Sequence, residues 1–104
     1  MVYLNDILEI NCNKNDNFNL RIVDTLNKFS DDDEILFKIY NNDNQVVFQK
    51  EGFIFNGDAF ITVSLEDVKS FPEGKLYYSI YNKLSKYNSY GTIFNKIKIN
   101  VGGI

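Results

Sequence analysis

Apolar residues alternate with polar ones along most of the chain, and this period of two constrains the fold more than any other feature. Two such runs, residues 8–12 and 18–22, flank a polar turn at 13–17. Successive side chains of a β-strand point to opposite faces, so each run presents one apolar face to a core. We interpret the two runs as a pair of strands.

Two hairpins are predicted next. Residues 35–40 and 46–48 flank Asn41-Asn42-Asp43-Asn44, and residues 53–55 and 59–65 flank Asn56-Gly57-Asp58. Asn-Gly readily takes the positive φ angles of a type I′ turn, which matches the twist of the flanking strands. Alternation returns at 76–81 and at 93–101. It places Lys96 and Lys98 on the polar face of the last strand, where we interpret them as protection of an exposed edge.

One short helical turn interrupts this pattern. Ser64 is suited to cap it, Asp67 follows three residues later as a capping-box partner, and Pro72 ends it. The strand after it carries Tyr78, in an arrangement that resembles the tyrosine corner of β-sandwiches, where a phenol bonds to upstream backbone. We expect Tyr78 to have a structural role.

Seven or eight strands at regular spacing predict an all-β fold, an antiparallel immunoglobulin-like β-sandwich with one short helical turn. A length of 104 residues fits a single domain over 1–104. The inward positions of the alternating runs predict the core. They are Leu20, Ile22, Phe37, Ile39, Ile61, Val63, Leu65, Tyr78, Ile80, Ile97 and Ile99.

Composition argues against several classes of function. The chain has no histidine, one cysteine and a net charge of -3, so imidazole bases and His/Cys zinc sites are excluded and a basic nucleic-acid-binding face is not expected. We expect no enzyme, no catalytic residues, no cofactor and no metal. Cys12 has no disulfide partner in the chain and shares an apolar face, which predicts a buried, inert thiol. No apolar run approaches the ~18 residues of a membrane span, and Met1 is not followed by a basic segment, so we expect folding in a reducing cytoplasm without a membrane partner.

Two groups of side chains are candidate sites. Tyr77, Tyr81, Tyr87 and Tyr90 could form a partner-contact surface or a sugar-stacking platform, and half-buried strand packing explains Tyr77 and Tyr81 about equally well. The acidic run Asp31-Asp32-Asp33-Glu34 contains calcium-type oxygen ligands but lacks EF-hand spacing, so we interpret it as a solvated loop.

The segment 61–80 combines a strand, a short acidic helix, Phe71-Pro72-Glu73-Gly74 and a tyrosine-bearing strand. In this it resembles the N-terminal domains of phage baseplate upper proteins. Residues 15–20 lie where that family has Gly-Asp before its first long strand, and 35–40 match another of its strands. The resemblance covers residues 11–101. It implies a non-catalytic structural module of a phage tail or baseplate, assembled in the bacterial host cytoplasm into the virion through contacts with other virion proteins.

Two other functions stay open at the level of sequence. A carbohydrate-binding module would use the exposed tyrosines. A small phage or bacterial inhibitor would bind a host protein through its acidic surface. Fold class alone does not choose among the three.

Overall fold

The computed structural model describes residues 3–4, 9–23, 29–30, 32–84 and 89–103. One short helix, α1, spans Leu65–Lys69, and the other elements are strands. The strands are β1 (Tyr3–Leu4), β2 (Ile10–Asn13), β3 (Phe18–Ile22), β4 (Glu34–Tyr40), β5 (Val46–Phe55), β6 (Asp58–Val63), β7 (Gly74–Leu84) and β8 (Ser89–Gly102). The predicted all-β class is confirmed. No helix in the described ranges has the length and apolar character needed to cross a membrane.

The strands form one curled, mixed sheet in the order β1-β2-β8-β7-β4-β5-β6-β3. The expectation of a wholly antiparallel arrangement is wrong at one place, because β2 runs parallel to β8, with Ile10 opposite Ile99. The interpretation of the first two runs as partners is also wrong. β2 and β3 are separated in the sheet, and β3 pairs with β6, with Leu20 opposite Ile61.

Both predicted hairpins are confirmed. β4 and β5 are antiparallel, with Lys38 opposite Gln49, and β5 and β6 are antiparallel across the Asn-Gly turn. Asn56 and Gly57 have φ angles of 50° and 83°, as a type I′ turn requires. In the first hairpin the Asn41 side-chain oxygen accepts hydrogen bonds from the amides of Asp43 and Gln45, so an asparagine side chain fixes that turn.

Strand β5 changes partner at Gly52. Up to this residue it pairs with β4, with Gly52 opposite Ile35, and from Phe53 it pairs with β6. A Cβ atom at Gly52 would lie 2.3 Å from the carbonyl oxygen of Phe60 and 2.9 Å from the Ile61 side chain. The absence of a side chain therefore lets the two halves of the sheet approach closely enough to curl around one core.

Most of the predicted core is buried, and one residue of it is not. Ile22 and Ile97 are partly buried against the cluster, whereas Leu65 is 41% exposed at the start of α1 and was assigned to the core wrongly. The alternation of β6 ends at Val63, so the helix turns Leu65 outward and buries Val68 instead. The remaining predicted core residues are buried: Leu20, Phe37, Ile39, Ile61, Val63, Tyr78, Ile80 and Ile99.

The predicted capping box is present at α1. The Ser64 hydroxyl accepts a hydrogen bond from the Asp67 amide at 3.1 Å, and the Asp67 carboxylate accepts one from the Ser64 amide at 3.0 Å. Lys50 of β5 adds an ion pair to Asp67 at 2.5 Å. This ion pair connects the helix to the sheet. The chain then enters β7 at Gly74, whose φ of 114° is a conformation that favours glycine.

Strand β8 lies between β7 and β2 in the strand order, but its pairing with β2 covers only Ile99 to Gly102. In the described residues, the earlier part of β8 pairs only with β7, so edge protection by Lys96 and Lys98 stays a prediction. The Lys96 ammonium is directed toward Tyr40 and Asn44. Lys98 lies opposite Tyr77 of β7.

Candidate functional site

The predicted tyrosines are placed by β7 and β8. Tyr77 and Tyr81 alternate with the buried Tyr78 and Ile80, and both are half-buried on the outer face of the sheet. Tyr90 lies in β8 in register with Lys83. Tyr87 lies outside the described residues. The structure therefore brings Tyr77 and Tyr81 onto one face, and it leaves a surface of all four tyrosines as a prediction.

A third tyrosine, Tyr40 of β4, completes this face. It lies opposite Tyr77, and its phenol oxygen is 3.0 Å from that of Tyr81. Alternation along β4 sets Tyr40 on the face opposite the buried Ile39, but only the pairing of β4 with β7 shows that it meets the other two. We call Lys38, Tyr40, Tyr77, Tyr81 and Lys96 the tyrosine–lysine face.

The pKa values of the two bonded phenols are shifted in opposite directions. The hydrogen bond from Tyr40, together with the positive charges of Lys38 and Lys96, lowers the pKa of Tyr81. Burial and the hydrogen bond with Tyr81 raise the pKa of Tyr40 to about 12. Either phenol can donate in this hydrogen bond, and the surroundings favour negative charge on the Tyr81 oxygen.

Two lysine ammonium groups lie near the rings of Tyr40 and Tyr81. Lys96 Nζ lies 3.3 Å from the centroid of the Tyr40 ring, and Lys38 Nζ lies 5.8 Å from that of Tyr81. Both are within the range of cation–π attraction. Among the described residues, neither lysine forms an ion pair with a carboxylate.

A backbone irregularity directs Lys96 to this position. The register between β7 and β8 shifts next to Ser79, and Lys96 has a φ of 55°. Its amide donates to the Ser79 hydroxyl at 3.0 Å, while its ammonium donates to the Asn44 side-chain oxygen. Asn44 also has a positive φ, of 64°. Sequence alternation placed Lys96 on the polar face of its strand, but its contacts with Tyr40 and Asn44 depend on the bulge and on the pairing of distant strands.

Two shallow concavities flank the phenol pair. One, of about 340 Å³, is lined by Leu36, Lys38, Gln49 and Tyr81. The other, of about 200 Å³, is lined by Asn41, Asn42, Asn44, Tyr77 and Lys96. They offer amides, ammoniums, phenols and one aliphatic side chain, which suits contacts with polar and negatively charged atoms.

A second surface on the outer side consists of phenylalanines. Phe53 and Phe55 of β5 are 53% and 59% exposed. The Phe53 ring stacks on Phe60 of β6 at 5.5 Å, and Phe55 meets Phe60 edge-on at 6.4 Å. The ion pair of Arg21 with Asp58, at 2.7 Å, lies beside these rings, with Arg21 over Phe60 at 5.9 Å. We call Phe53, Phe55 and Phe60 the phenylalanine patch.

Sequence reasoning missed the phenylalanine patch, although a signal was present. In Phe53-Ile54-Phe55 both aromatic residues fall on the face opposite the partly buried Ile54. Outward positions of a strand usually carry polar side chains, whereas here two consecutive outward positions are apolar. Read in this way, the run indicates an exposed aromatic pair.

The remaining candidate residues have structural roles. Cys12 is buried, and burial raises the pKa of its thiol to about 11, so it is a protonated thiol near neutral pH. The Asp33 carboxylate accepts a hydrogen bond from the Ser30 amide at 3.0 Å and so shapes its own loop. Asp31 lies outside the described residues. In the parts of the chain that the structure describes, no three His, Cys, Asp or Glu side chains are grouped to hold a metal ion.

Comparison with known proteins gives no family. No family model matches the chain, and no curated protein matches it. Among solved structures, it is similar to the crystal structure of a proposed glycoside hydrolase from Bacteroides vulgatus, with 16% sequence identity and a TM-score of 0.47. That alignment covers 89% of this chain and 16% of the other, so this chain spans less than a fifth of that protein. A likeness this distant carries no argument about function.

Proposed function

We propose that this chain is a non-catalytic association module of a phage or phage-like tail, acting at a baseplate or fibre attachment through contacts with other virion proteins. The phenylalanine patch is the observation that carries the proposal. We name a virion as the assembly because residues 11–101 resemble the baseplate upper protein domains.

The patch is not needed to build the core. Seventeen other hydrophobic residues in the described part of the chain are buried in one cluster, while Phe53 and Phe55 expose more than half of their surface. Removing apolar surface from water is worth roughly 25 cal/mol per Å², and aromatic residues are enriched in the cores of protein interfaces. A partner protein that covers these rings would gain this free energy.

Surface chemistry favours a protein partner over a sugar. The Tyr40 ring carries an ammonium 3.3 Å from its centroid, and Phe53 and Phe60 stack on each other. In each of these contacts one face of a ring is already occupied. This weighs against a sugar-stacking platform and for side-chain contacts with another protein.

We also propose that the curled sheet is a variant of the immunoglobulin-like sandwich. The change of partner at Gly52 divides β5 between a β4 half and a β6 half. In sandwiches, strands that pass from one sheet to the other do so at bends of this kind.

The test is binding of the purified chain to purified products of tail genes adjacent to its own, followed by size-exclusion chromatography with light scattering. Phe53→Ser and Phe55→Ser should weaken a complex strongly and leave the isolated chain folded. Leu65→Ser is the matched control, because Leu65 is an exposed apolar residue outside the patch. The Leu65→Ser variant should still form the complex with the tail protein.

Two results would contradict the proposal. One is a chain that stays monomeric with every adjacent tail protein yet binds a glycan array or a host enzyme. The other is a complex that is weakened equally by Leu65→Ser and by the two phenylalanine variants, since this would place the contact outside the patch.

A further inference from the structure

We propose that the tyrosine–lysine face binds an acidic peptide segment of the partner protein, with Lys38 and Lys96 pairing to its carboxylates. The inference rests on the proposed function, because it assigns a chemistry to part of that partner. It concerns a surface separate from the phenylalanine patch.

The two lysines carry uncompensated charge. The chain as a whole has a net charge of -3, yet no carboxylate in the described parts of the molecule pairs with Lys38 or Lys96. Glu51 is opposite Leu36 in the strand register and forms no ion pair with either lysine. A local positive site on an acidic protein attracts negatively charged groups.

Lys96 is held in place at a conformational cost. A non-glycine residue in the left-handed region is strained and persists only where its surroundings determine it. Here the Ser79 hydroxyl fixes the backbone of Lys96, and the Asn44 side chain and Tyr40 ring fix its ammonium. The Lys96 side chain is therefore pre-ordered, so ligand binding costs little of its conformational entropy.

The shape between the lysines suits an extended peptide. The concavity at Leu36, Lys38, Gln49 and Tyr81 and the one at Asn44, Tyr77 and Lys96 lie on either side of the phenol pair. Gln49 and the asparagines can donate to peptide carbonyls or accept from amides, and Leu36 supplies an apolar contact. Acidic side chains spaced along a strand could reach one lysine on each side.

A peptide fits these groups better than an acidic sugar. Sugar rings bind by stacking on open aromatic faces, and here Lys96 Nζ occupies one face of the Tyr40 ring. Carboxylates on flexible side chains need only the ammoniums and the neighbouring amides. An acidic oligosaccharide is therefore the competing ligand in the test.

The test measures binding of a fluorescein-labelled Gly-Glu repeat peptide to the whole chain by anisotropy, with a Gly-Gln repeat of equal length as its control. Lys38→Gln and Lys96→Gln should each weaken the Gly-Glu complex by about threefold. Lys96→Arg, which keeps the charge, should retain it. Lys69→Gln, which removes one exposed positive charge on α1, should leave the affinity unchanged.

A second readout comes from Tyr81. Carboxylates bound beside it add negative charge, so saturation with the Gly-Glu peptide should raise the pKa of Tyr81, as followed by NMR of tyrosine labelled at Cζ. Added salt should weaken the complex and reverse this change.

Three results would overturn the inference. They are equal binding of the Gly-Gln peptide, equal weakening by Lys69→Gln, and binding of an oligogalacturonate with no binding of the Gly-Glu peptide. These results are independent of the phenylalanine variants. If Phe53→Ser abolishes the tail complex while the peptide fails to bind, the inference alone is wrong. If the peptide binds as expected while the phenylalanine variants change nothing, the proposed docking surface is wrong instead.

Discussion

The phenol oxygens of Tyr40 and Tyr81 lie 3.0 Å apart, although 41 positions separate the two residues in the chain. The contact exists because β4 and β7 are neighbours in the sheet, with Lys38 opposite Ser79 and Leu36 opposite Tyr81. The pKa values of these two chemically identical groups are shifted in opposite directions.

We expect Tyr40→Phe to raise the pKa of Tyr81, because the variant removes the hydrogen bond that most favours the Tyr81 phenolate. Lys38→Gln should raise it by less, since its charge is a smaller cause. Ultraviolet absorbance of the phenolate during a pH titration measures both. Tyr77→Phe is the control and should leave Tyr81 unchanged; an equal rise in that variant would mean that the phenol pair is not the cause.

Tyr78→Phe should lower the free energy of unfolding by about 1 kcal/mol, the usual net contribution of one buried hydrogen bond. Tyr78 is almost fully buried beside Phe37, with ring centroids 5.7 Å apart, and the expected tyrosine corner predicts that its hydroxyl bonds to backbone. Tyr77→Phe removes a hydroxyl from the outer face and should cost much less. Urea unfolding of the two variants compares them, and equal losses would show that the hydroxyl of Tyr78 has no special role.

Asp67→Asn should destabilise the chain by about 1 kcal/mol, the usual value of a helix cap. The Lys50 ammonium and the hydrogen bonds with Ser64 hold the pKa of Asp67 below its ordinary value. A lowered folded-state pKa stabilises the fold above the unfolded value and loses this effect as the pH falls through the folded one. The difference between wild type and variant should therefore shrink in acid, in unfolding experiments at several pH values. Glu66→Gln, in the same helical turn, is the control, and an equally large effect there would contradict the capping role.

Gly52→Ala should destabilise the protein by about 1–3 kcal/mol, the usual cost of overpacking. The new Cβ would meet the Phe60 carbonyl oxygen at 2.3 Å, and a backbone atom in a sheet cannot move aside cheaply. Gly103→Ala is the matched control, because its nearest contact is the side chain of Glu73 at 3.2 Å. Thermal unfolding of both variants decides the matter. Equal melting temperatures would show that β5 can pass between its partners without a glycine.

Local sequence rules account for the elements themselves. The Asn-Gly turn, the Ser64 and Asp67 capping box and the alternating strands each depend on residues close together in the chain, so a single sequence contains the information. The same rules assigned most core residues correctly. They failed at Leu65, because the alternation of β6 was extended past Val63 to a residue that lies in helix α1.

The sequence by itself determined which segments become strands, which turns join them and which faces are apolar. Only the tertiary structure decided which strands become neighbours: the parallel pairing of β2 with β8, the separation of β2 from β3 and the meeting of Tyr40 with Tyr81. It also decided that a bulge turns Lys96 onto the Tyr40 ring. The physical reason is that alternation fixes a side chain's face within its own strand, whereas the choice of partner depends on how distant apolar faces close over a common core.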